Sequence, residues 1–395
     1  MEGAEVGGCS GAEAVLNLEP NSSIDITYHP LFGSHDDLLL LELDDKLLTD
    51  VLHQRVTLRG QPDEDAVLCT QSKTYAIKFV ATSNSLFLIP QSAQSSLREN
   101  PFDCDGNVHH HQIIAPTIML APGNLELVEV SPRLDGLRFL LSQNPYKSDE
   151  VLEMEDLNMG INKTGLYAWD DLVDMVQASN EELRYGLQAL SAVEIDGYWR
   201  IVDDAYMDTI LGMLLHNSIL NDWSLHSLNE DEVVTVLASD GFLRKLAIHC
   251  LNVYGDKVST GLTNTWKLDE KRVCVHFARQ ILKTGKLKME VFMGEWLKKI
   301  PDCMQASFDL LEGEVLTEKL GVETWVRAFS VSSLPSNPTE RFSMLFKERS
   351  KWEGKDLHPY IRDLNVPGLS SEALLLKYTR RTQPSEDAEP AFSAR

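Results

Sequence analysis

The chain has 395 residues, and its 36 Lys plus Arg against 60 Asp plus Glu give a formal net charge of -24. This length predicts about two to four domains, and 43% hydrophobic residues is enough for each to bury a core. So acidic an average excludes a protein that coats nucleic acid along its whole surface, because phosphates repel carboxylates. Any nucleic-acid contact must therefore be local.

The cysteines and the apolar runs indicate the cellular setting. The six cysteines stand far apart without a CxxC pair, so neither a zinc module nor a dense disulfide framework is indicated, and a reducing compartment fits. The longest aliphatic run is Leu38 to Leu41, far short of the roughly 20 residues that cross a bilayer, and the first residues lack the basic start of a signal peptide. We expect a soluble intracellular protein.

Charge is distributed unevenly along the chain. Residues 1–146 carry 8 basic and 20 acidic side chains, and residues 147–230 carry 4 and 17. Residues 267–299 instead carry 9 basic and 4 acidic side chains, and residues 339–382 carry 9 and 6. Two local basic regions therefore lie inside an acidic protein.

The N-terminal part has the pattern of short strands. Residues 1–37 are expected to form a flexible leader, and residues 38–146 an all-β domain. Its aliphatic strands would leave edges that invite pairing with a partner chain. The predicted strands are Leu38–Leu43, Gln54–Arg59, Ala66–Thr70, Thr74–Val80, Leu86–Ile89 and Leu125–Val130. A helix at Leu134–Leu141 is predicted to end this domain, and residues 147–164 are interpreted as an acidic linker.

Beyond the linker the hydrophobic period changes from two to 3.6 residues. Residues 169–176 carry one apolar helical stripe, and Ser179 with Glu182 has the spacing of a capping box at the start of a second helix. Asp196-Gly197 between two β-rich runs predicts a tight hairpin. Two helices followed by such a hairpin indicate a winged-helix unit, placed at residues 165–230.

The pattern recurs towards the C-terminus. Residues 231–334 are predicted to hold a second unit, with helices near 289–300 and 304–311 and a strand at Glu323–Phe329. Residues 335–382 are predicted to form a third unit whose last helix runs from about Glu372 to Arg381. Its wing is expected to be missing, because residues 383–395 are interpreted as a tail.

Catalytic signatures are mostly absent from the sequence. It contains no GxGxxG, GxxxxGK[ST], GxSxG or HExxH motif, so we predict no enzyme and no cofactor. The run His109–His111 beside Asp103, Cys104 and Asp105 could supply metal ligands, but consecutive side chains in an extended chain point in opposite directions. We interpret it as a solvated loop and predict no metal site.

The C-terminal basic region supplies the candidate site residues. Lys377, Arg380 and Arg381 fall at i, i+3 and i+4 of the predicted last helix, the helix that contacts DNA in winged or helix-turn-helix units. Further cations of the same unit complete the predicted DNA-binding set, Arg341, Lys347, Arg349 and Lys351. Spacing alone leaves two readings open, a DNA contact and a solubilising surface.

Several segments together resemble a known family, the sister chromatid cohesion protein of the Dcc family, called defective in sister chromatid cohesion one. The resemblance runs from about residue 38 to residue 382. It rests on Ala66–Thr70, Lys73–Tyr75, Thr82–Leu86, Asn144–Tyr146, Asp171–Leu183, Gly197–Ile201, Glu340–Phe346, Lys351–Glu353, Pro359–Leu364 and Leu375–Arg380. The order and spacing of these segments make the resemblance specific.

The resemblance implies a non-catalytic subunit of the alternative replication factor C clamp loader. The implied partners are chromosome transmission fidelity proteins eight and eighteen, the small replication factor C subunits, DNA polymerase epsilon, the sliding clamp PCNA, and DNA. In that family the N-terminal β domain joins two partners in a composite barrel, and C-terminal winged-helix domains bind DNA. The implied setting is the replication fork in the nucleus, during DNA replication and sister chromatid cohesion in the cell cycle.

The expected fold class is therefore α+β and multidomain, with an N-terminal all-β barrel domain completed by partners, followed by tandem winged-helix domains. The leading functional hypothesis is a subunit that bridges partner proteins and DNA. The alternative is a winged-helix protein–protein scaffold that does not bind DNA directly, which the net charge of -24 favours.

Overall fold

The computed structural model describes residues 24–35, 37–89, 113–148, 165–259, 264–364, 366–383 and 389–395. The chain divides into two compact units, residues 1–54 with 75–128, and residues 55–74 with 129–395. Helices combine with several small sheets of two to four strands, so the fold is mixed α+β. Residues 1–23 of the leader, the His109–His111 run and most of the acidic linker lie outside the described residues. The described part of the predicted flexible leader includes a paired strand, Ile24–Tyr28, so that part of the prediction is wrong.

The first part of the chain contains one helix among its strands. In the described residues up to Val130 the elements are β1 (Ile24–Tyr28), α1 (Asp45–His53), β2 (Thr57–Arg59), β3 (Val67–Cys69), β4 (Thr74–Leu88), β5 (Ile113–Thr117) and β6 (Met119–Val130). Strand β1 pairs with β5 in parallel, and the long strands β4 and β6 are neighbours in one sheet. Strands β2 and β3 form an antiparallel pair.

Three local predictions for this region are wrong. The domain is not all-β, because Asp44 accepts a hydrogen bond from the Leu47 backbone N–H at 2.7 Å and caps α1, which buries Leu47. The predicted strand Leu38–Leu43 makes only a single bridge, from Leu41 to Leu125. The two strands predicted at residues 74–80 and 86–89 are one continuous strand, since Asn84 produces no turn.

Beyond Val130 the same order of elements recurs, and we divide this region into four segments. Segment 1 (residues 135–202) contains α2 (Asp135–Ser142), α3 (Trp169–Met175), α4 (Asn180–Ala189), β7 (Ala192–Ile195) and β8 (Tyr198–Ile201). Segment 2 (residues 204–268) contains α5 (Asp204–Leu220), β9 (Leu228–Asn229), α6 (Glu230–Ser239), α7 (Arg244–Tyr254), β10 (Gly255–Ser259) and β11 (Asn264–Leu268).

The last two segments repeat the arrangement. Segment 3 (residues 270–328) contains α8 (Glu270–Leu282), β12 (Leu287–Lys288), α9 (Met289–Lys299), a 3-10 helix (Phe308–Leu311), β13 (Val315–Leu320) and β14 (Glu323–Ala328). Segment 4 (residues 338–394) contains α10 (Pro338–Glu348), β15 (Lys351–Glu353), α11 (Gly354–Leu357), a 3-10 helix (His358–Tyr360), α12 (Ser371–Tyr378), β16 (Thr379–Thr382) and β17 (Ala391–Ala394).

Sheet topology makes segments 2, 3 and 4 alike. In each, the short strand after the first helix pairs with the last strand, and the last strand also pairs with the strand before it. The three sheet orders are β9-β11-β10, β12-β14-β13 and β15-β17-β16. Segment 1 has the hairpin β7–β8, and a single parallel bridge from Tyr146 to Val202 takes the place of the short strand. This element order thus occurs four times in the described residues, whereas the sequence predicts three units.

Local sequence chemistry explains the helix starts and hairpins of segment 1. Ser179 and Glu182 form the predicted capping box, with Ser179 Oγ accepting from the Glu182 N–H at 3.2 Å. Asp196 and Gly197 have φ of 52° and 85°, the positive values that the predicted two-residue turn requires. Both predictions are confirmed.

The described residues bury three hydrophobic clusters. The largest joins segments 2 and 3, and its buried Trp296 donates from Nε1 to the Cys274 carbonyl at 2.8 Å. A second cluster lies within segment 1 around Leu172 and Leu183, and a third fills segment 4 around Trp352. Burial in the first cluster raises the pKa of the Cys274 thiol to about 11, so this cysteine acts as a small hydrophobe.

Candidate nucleic-acid interface

Segment 4 carries the predicted DNA-binding residues on a well-packed frame. Helix α10 begins after Asn337, whose side chain accepts from the Thr339 N–H at 2.9 Å. Its Leu345 carbonyl accepts from Trp352 Nε1 at 2.9 Å, which ties α10 to β15. Trp352 is fully buried and packs edge-on against Tyr360. These contacts hold the helix and strand from which the predicted DNA-binding side chains project.

The three-stranded sheet presents two cations on its outer face. Lys351 pairs with Ser393, and Ser393 pairs with Arg380. In the adjacent row, Trp352 lies opposite the buried Phe392. Because side chains alternate along a strand and paired residues share a face, Lys351 and Arg380 point away from the core. Their Cα atoms lie two strands apart, about 10 Å.

The predicted site residues that are exposed in segment 4 lack acidic partners among the described residues, whereas the exposed Lys355 pairs with Glu353 and Glu389, and Arg362 with Glu312. Among the described residues, none of the following has a carboxylate within ion-pair distance, and all are exposed: Lys347, Lys351, Lys377, Arg380 and Arg381. Lys377 lies in the last turn of α12, with Nζ 5.3 Å from the centroid of the Tyr378 ring. Tyr378 in turn stacks on Phe342 at 5.0 Å, so part of this surface is held in place.

The predicted last helix is too long, which changes where two cations lie. Helix α12 ends at Tyr378, and Thr379 has extended dihedrals, φ -129° and ψ 162°. Arg380 and Arg381 therefore lie on β16, where consecutive side chains point to opposite faces, and do not share one helical face with Lys377. Pairing with β17 stabilises this extended conformation, and β17 lies in residues that the sequence suggested were a tail.

The side chains of two predicted cations form hydrogen bonds and ion pairs inside the protein. Arg341 is 3% exposed and donates to the carbonyls of Pro335 at 2.6 Å and Tyr360 at 3.2 Å, and to Asp363 at 2.5 Å. Arg349 is half-buried and bonds to the Thr317 carbonyl and, at 3.3 Å, to Asp356. Both side chains bond to groups within the protein, and neither joins the exposed set.

In the other basic region, residues 267–299, five of the nine cations form ion pairs. Its paired cations and their partners are Arg272 with Asp256, Arg279 with Glu314, Lys283 with Asp204, Lys286 with Glu318, and Lys288 with Glu323. Segment 3 also has a 3-10 turn at Phe308–Leu311 where the sequence predicts a second helix, so it offers no long helix at that position. The other four cations of this region, Lys267, Lys271, Lys298 and Lys299, are exposed and have no ion pair among the described residues, so both basic regions keep free positive charge.

The described part of the chain contains no group of three or more His, Cys, Asp or Glu that could hold a metal ion. None of its helices is both long and apolar enough to cross a membrane.

Comparison with known proteins identifies the family. The model of the family "Sister chromatid cohesion protein Dcc1" matches residues 38–361. The chain belongs to the Dcc1 family. The human sister chromatid cohesion protein DCC1 is 33% identical over 348 residues, covering 87% of this chain and 85% of the relative. The Danio rerio protein of that name is 33% identical over 378 residues, covering 94% and 93%. The Saccharomyces cerevisiae protein is 24% identical over 347 residues, covering 80% and 84%.

Membership of the Dcc1 family confirms the resemblance drawn from the sequence motifs. The family match ends at Ile361, so it includes α10 and β15 but not α12, β16 or β17. Lys377, Arg380 and Arg381 therefore lie beyond the matched residues of this Dcc1-family chain. Their placement rests on the geometry of segment 4 alone.

Proposed function

We propose that this Dcc1-family chain is a non-catalytic subunit of an alternative replication factor C clamp loader in the nucleus. It bridges partner subunits, DNA polymerase epsilon and DNA while PCNA is loaded or unloaded, and so serves DNA replication and sister chromatid cohesion. Chromosome transmission fidelity proteins eight and eighteen and the small replication factor C subunits are its partners. Family membership supports the cohesion role, and ATP hydrolysis falls to other subunits.

Exposed apolar side chains in the first compact unit support partner assembly. Tyr28, Leu31, Leu39 and Phe79 are 77%, 68%, 76% and 59% exposed. Large apolar side chains that are this exposed are typical of surfaces that another chain covers. We propose that two partner subunits complete this unit as a composite barrel.

The proposal that this chain binds DNA rests on the exposed cations of segment 4 that have no acidic partner. We propose that segments 1 to 4 are winged-helix units and that segment 4 is the one that binds DNA. Lys347, Lys351, Lys377, Arg380 and Arg381 are the contacts, because they are exposed and free of acidic partners. Such cations bind phosphate by releasing counterions, independently of base sequence.

Segment 1 is proposed to contact protein. After the linker it has two cations, Arg184 and Arg200, and Arg200 is buried and donates to the Asn144 and Pro145 carbonyls. The exposed carboxylates Asp170, Asp171 and Glu181 precede Arg184 in the same segment. This acidic surface disfavours a phosphate backbone.

The proposal is tested with the reconstituted clamp loader. Purified partner subunits are combined with the full-length chain or with a variant carrying Lys351→Glu, Lys377→Glu and Arg380→Glu, and PCNA loading on primed DNA is measured. We expect assembly of both complexes and slower loading with the variant. Failure of the wild-type chain to co-purify with the partner subunits contradicts the assembly role. Equal loading by both complexes, at low and at physiological salt, favours the scaffold without DNA contact.

A further inference from the structure

A large cavity opens among segments 1, 2 and 3, and its volume is about 1080 Å³. Helix α4 and the hairpin β7–β8 form one wall, helices α5 and α7 a second, and α8 a third. Much of its floor is apolar, because it includes the buried side chains Leu187, Val193, Val202, Met207 and Val275. The volume lies within the range of protein cavities that accept large ligands.

Three exposed cations line this cavity without acidic partners. They are Arg138 on α2, Arg184 on α4 and Lys271 on α8, and none has a carboxylate within 4 Å in the described part of the chain. The Arg184 guanidinium lies 4.9 Å from the centroid of the Trp169 ring, which holds it in position. A protein of net charge -24 thus keeps free positive charge beside an apolar floor.

The remaining cations of the cavity are already paired. Arg279 lies 2.7 Å from Glu314, and Lys283 lies 3.0 Å from Asp204. Glu194 is an exposed carboxylate of the same lining. The cavity therefore offers a few separated positive charges and retains carboxylates of its own.

We propose that this cavity binds an acidic, partly apolar peptide segment of a partner protein. Apolar side chains of the peptide pack on the floor, and its carboxylates pair with Arg138, Arg184 and Lys271. A nucleic-acid strand fits less well, because its phosphates would face Glu194, Asp204 and Glu314.

This site is separate from the segment 4 cations, so it is tested without changing them. Peptides are selected from a random 12-residue library on the immobilised full-length chain. The recovered peptides are labelled and titrated against the wild type, against Arg138→Glu with Arg184→Glu and Lys271→Glu, and against a matched control. The control carries Lys245→Glu, Lys298→Glu and Lys299→Glu, three exposed and unpaired lysines outside the cavity. A labelled oligothymidylate forms a second probe.

We expect recovered peptides to combine Asp or Glu with aliphatic or aromatic residues. Charge reversal in the cavity weakens their binding at least about tenfold, while the control stays within about twofold of the wild type. A milder variant, Arg138→Gln with Arg184→Gln and Lys271→Gln, controls for misfolding caused by the charge reversal. We expect it to bind the peptides more weakly than the wild type, but by a smaller factor. Peptides without acidic residues, equal binding by cavity and control variants, or no recovered peptide overturns the proposal. Loss of oligothymidylate binding in the cavity variant alone overturns it in favour of a nucleic-acid site.

Discussion

Arg341 and Lys347 show how two cations of one helix take different roles. Both lie on α10, six residues apart, but Arg341 faces the core and Lys347 faces solvent. The Arg341 guanidinium satisfies two backbone carbonyls and the Asp363 carboxylate, which compensates its desolvation. A buried charge with these bonds supports the fold, and only the exposed charge remains for a phosphate.

Replacing Arg341 with Ala is expected to lower the free energy of unfolding by about 3 kcal/mol, because the carbonyl and carboxylate partners lose their donor. Lys347→Ala is expected to change it by less than about 0.5 kcal/mol. Urea denaturation of the full-length chain, followed by the fluorescence of buried tryptophans, measures both. Equal stability of the two variants would show that Arg341 is not a structural residue.

His249 gives the protein a pH-dependent stability. It is 8% exposed, and burial lowers its pKa to about 4 from the usual 6.5. The unfolded chain therefore binds the proton more readily, so the stability from neutral His249 is full above pH 6.5 and falls as pH drops to about 4. At pH 4 the loss is roughly 3 kcal/mol.

The measurement compares the wild type with His249→Gln by urea denaturation between pH 7 and pH 4. We expect the difference in unfolding free energy between the two proteins to shift in favour of the variant as the pH falls. A difference that stays constant over this range contradicts a buried neutral imidazole.

At the scale of elements, the sequence predicts what local chemistry decides. The capping box at Ser179 and the hairpin turn at Asp196-Gly197 depend on neighbouring residues, and both are found as predicted. The end of α12 and the strand β16 depend on pairing with β17 across a segment of the chain, which no local pattern reveals. Leu38–Leu43 shows the opposite error, because this aliphatic run forms one bridge, from Leu41 to Leu125, and no longer strand among the described residues.

The charge composition of the sequence predicts which part of the chain carries the candidate site. It does not predict which of the side chains there are exposed or how they are arranged. Charge counts locate the basic region at residues 339–382, and Lys377 lies on the last helix as expected. Helical spacing could not separate Arg380 from Arg381, and it could not show that Arg341 and Arg349 are occupied by carbonyl and carboxylate partners. Burial depends on residues far apart in the chain, so helical spacing alone could not distinguish these four cations.

Strand β17 is expected to be part of the fold of segment 4. Phe392 is 8% exposed and belongs to the cluster of Trp352, so Phe392→Ala should reduce the free energy of unfolding by about 3 kcal/mol through lost burial and a cavity. Leu376→Ala is the matched control, because Leu376 is 72% exposed. Urea denaturation of the full-length variants measures the effect. A stability change for Phe392→Ala as small as for Leu376→Ala would mean that β17 is not docked in solution.

At the scale of the whole molecule, charge and apolar surface are segregated. The acidic excess lies in residues 1–230, and segment 4 carries five exposed cations that have no ion pair among the described residues, Lys347, Lys351, Lys377, Arg380 and Arg381. Exposed apolar side chains such as Tyr28 and Leu39 concentrate in the first compact unit. One chain can thus meet partner proteins and DNA through different surfaces.

The first compact unit is expected to depend on its partners. Co-expression of the full-length chain with chromosome transmission fidelity proteins eight and eighteen should slow proteolysis and amide exchange around Tyr28 and Phe79, because the partners cover exposed apolar area. Exchange in segment 4 serves as the internal control and should not change. Equal protection of the first unit with and without the partners contradicts the composite barrel.

DNA binding by segment 4 is tested most directly by the salt dependence of affinity. The full-length chain, the variant Lys351→Glu with Lys377→Glu and Arg380→Glu, and the control Lys245→Glu with Lys298→Glu and Lys299→Glu are titrated with duplex DNA at several salt concentrations. Each phosphate contact adds roughly 0.9 to the slope of log affinity against log salt. We predict that the segment 4 variant binds every DNA sequence more weakly and that its slope is flatter by roughly two to three, while the control keeps the wild-type slope. A segment 4 variant with wild-type affinity and slope would contradict DNA binding through this surface and leave the chain as a protein–protein scaffold.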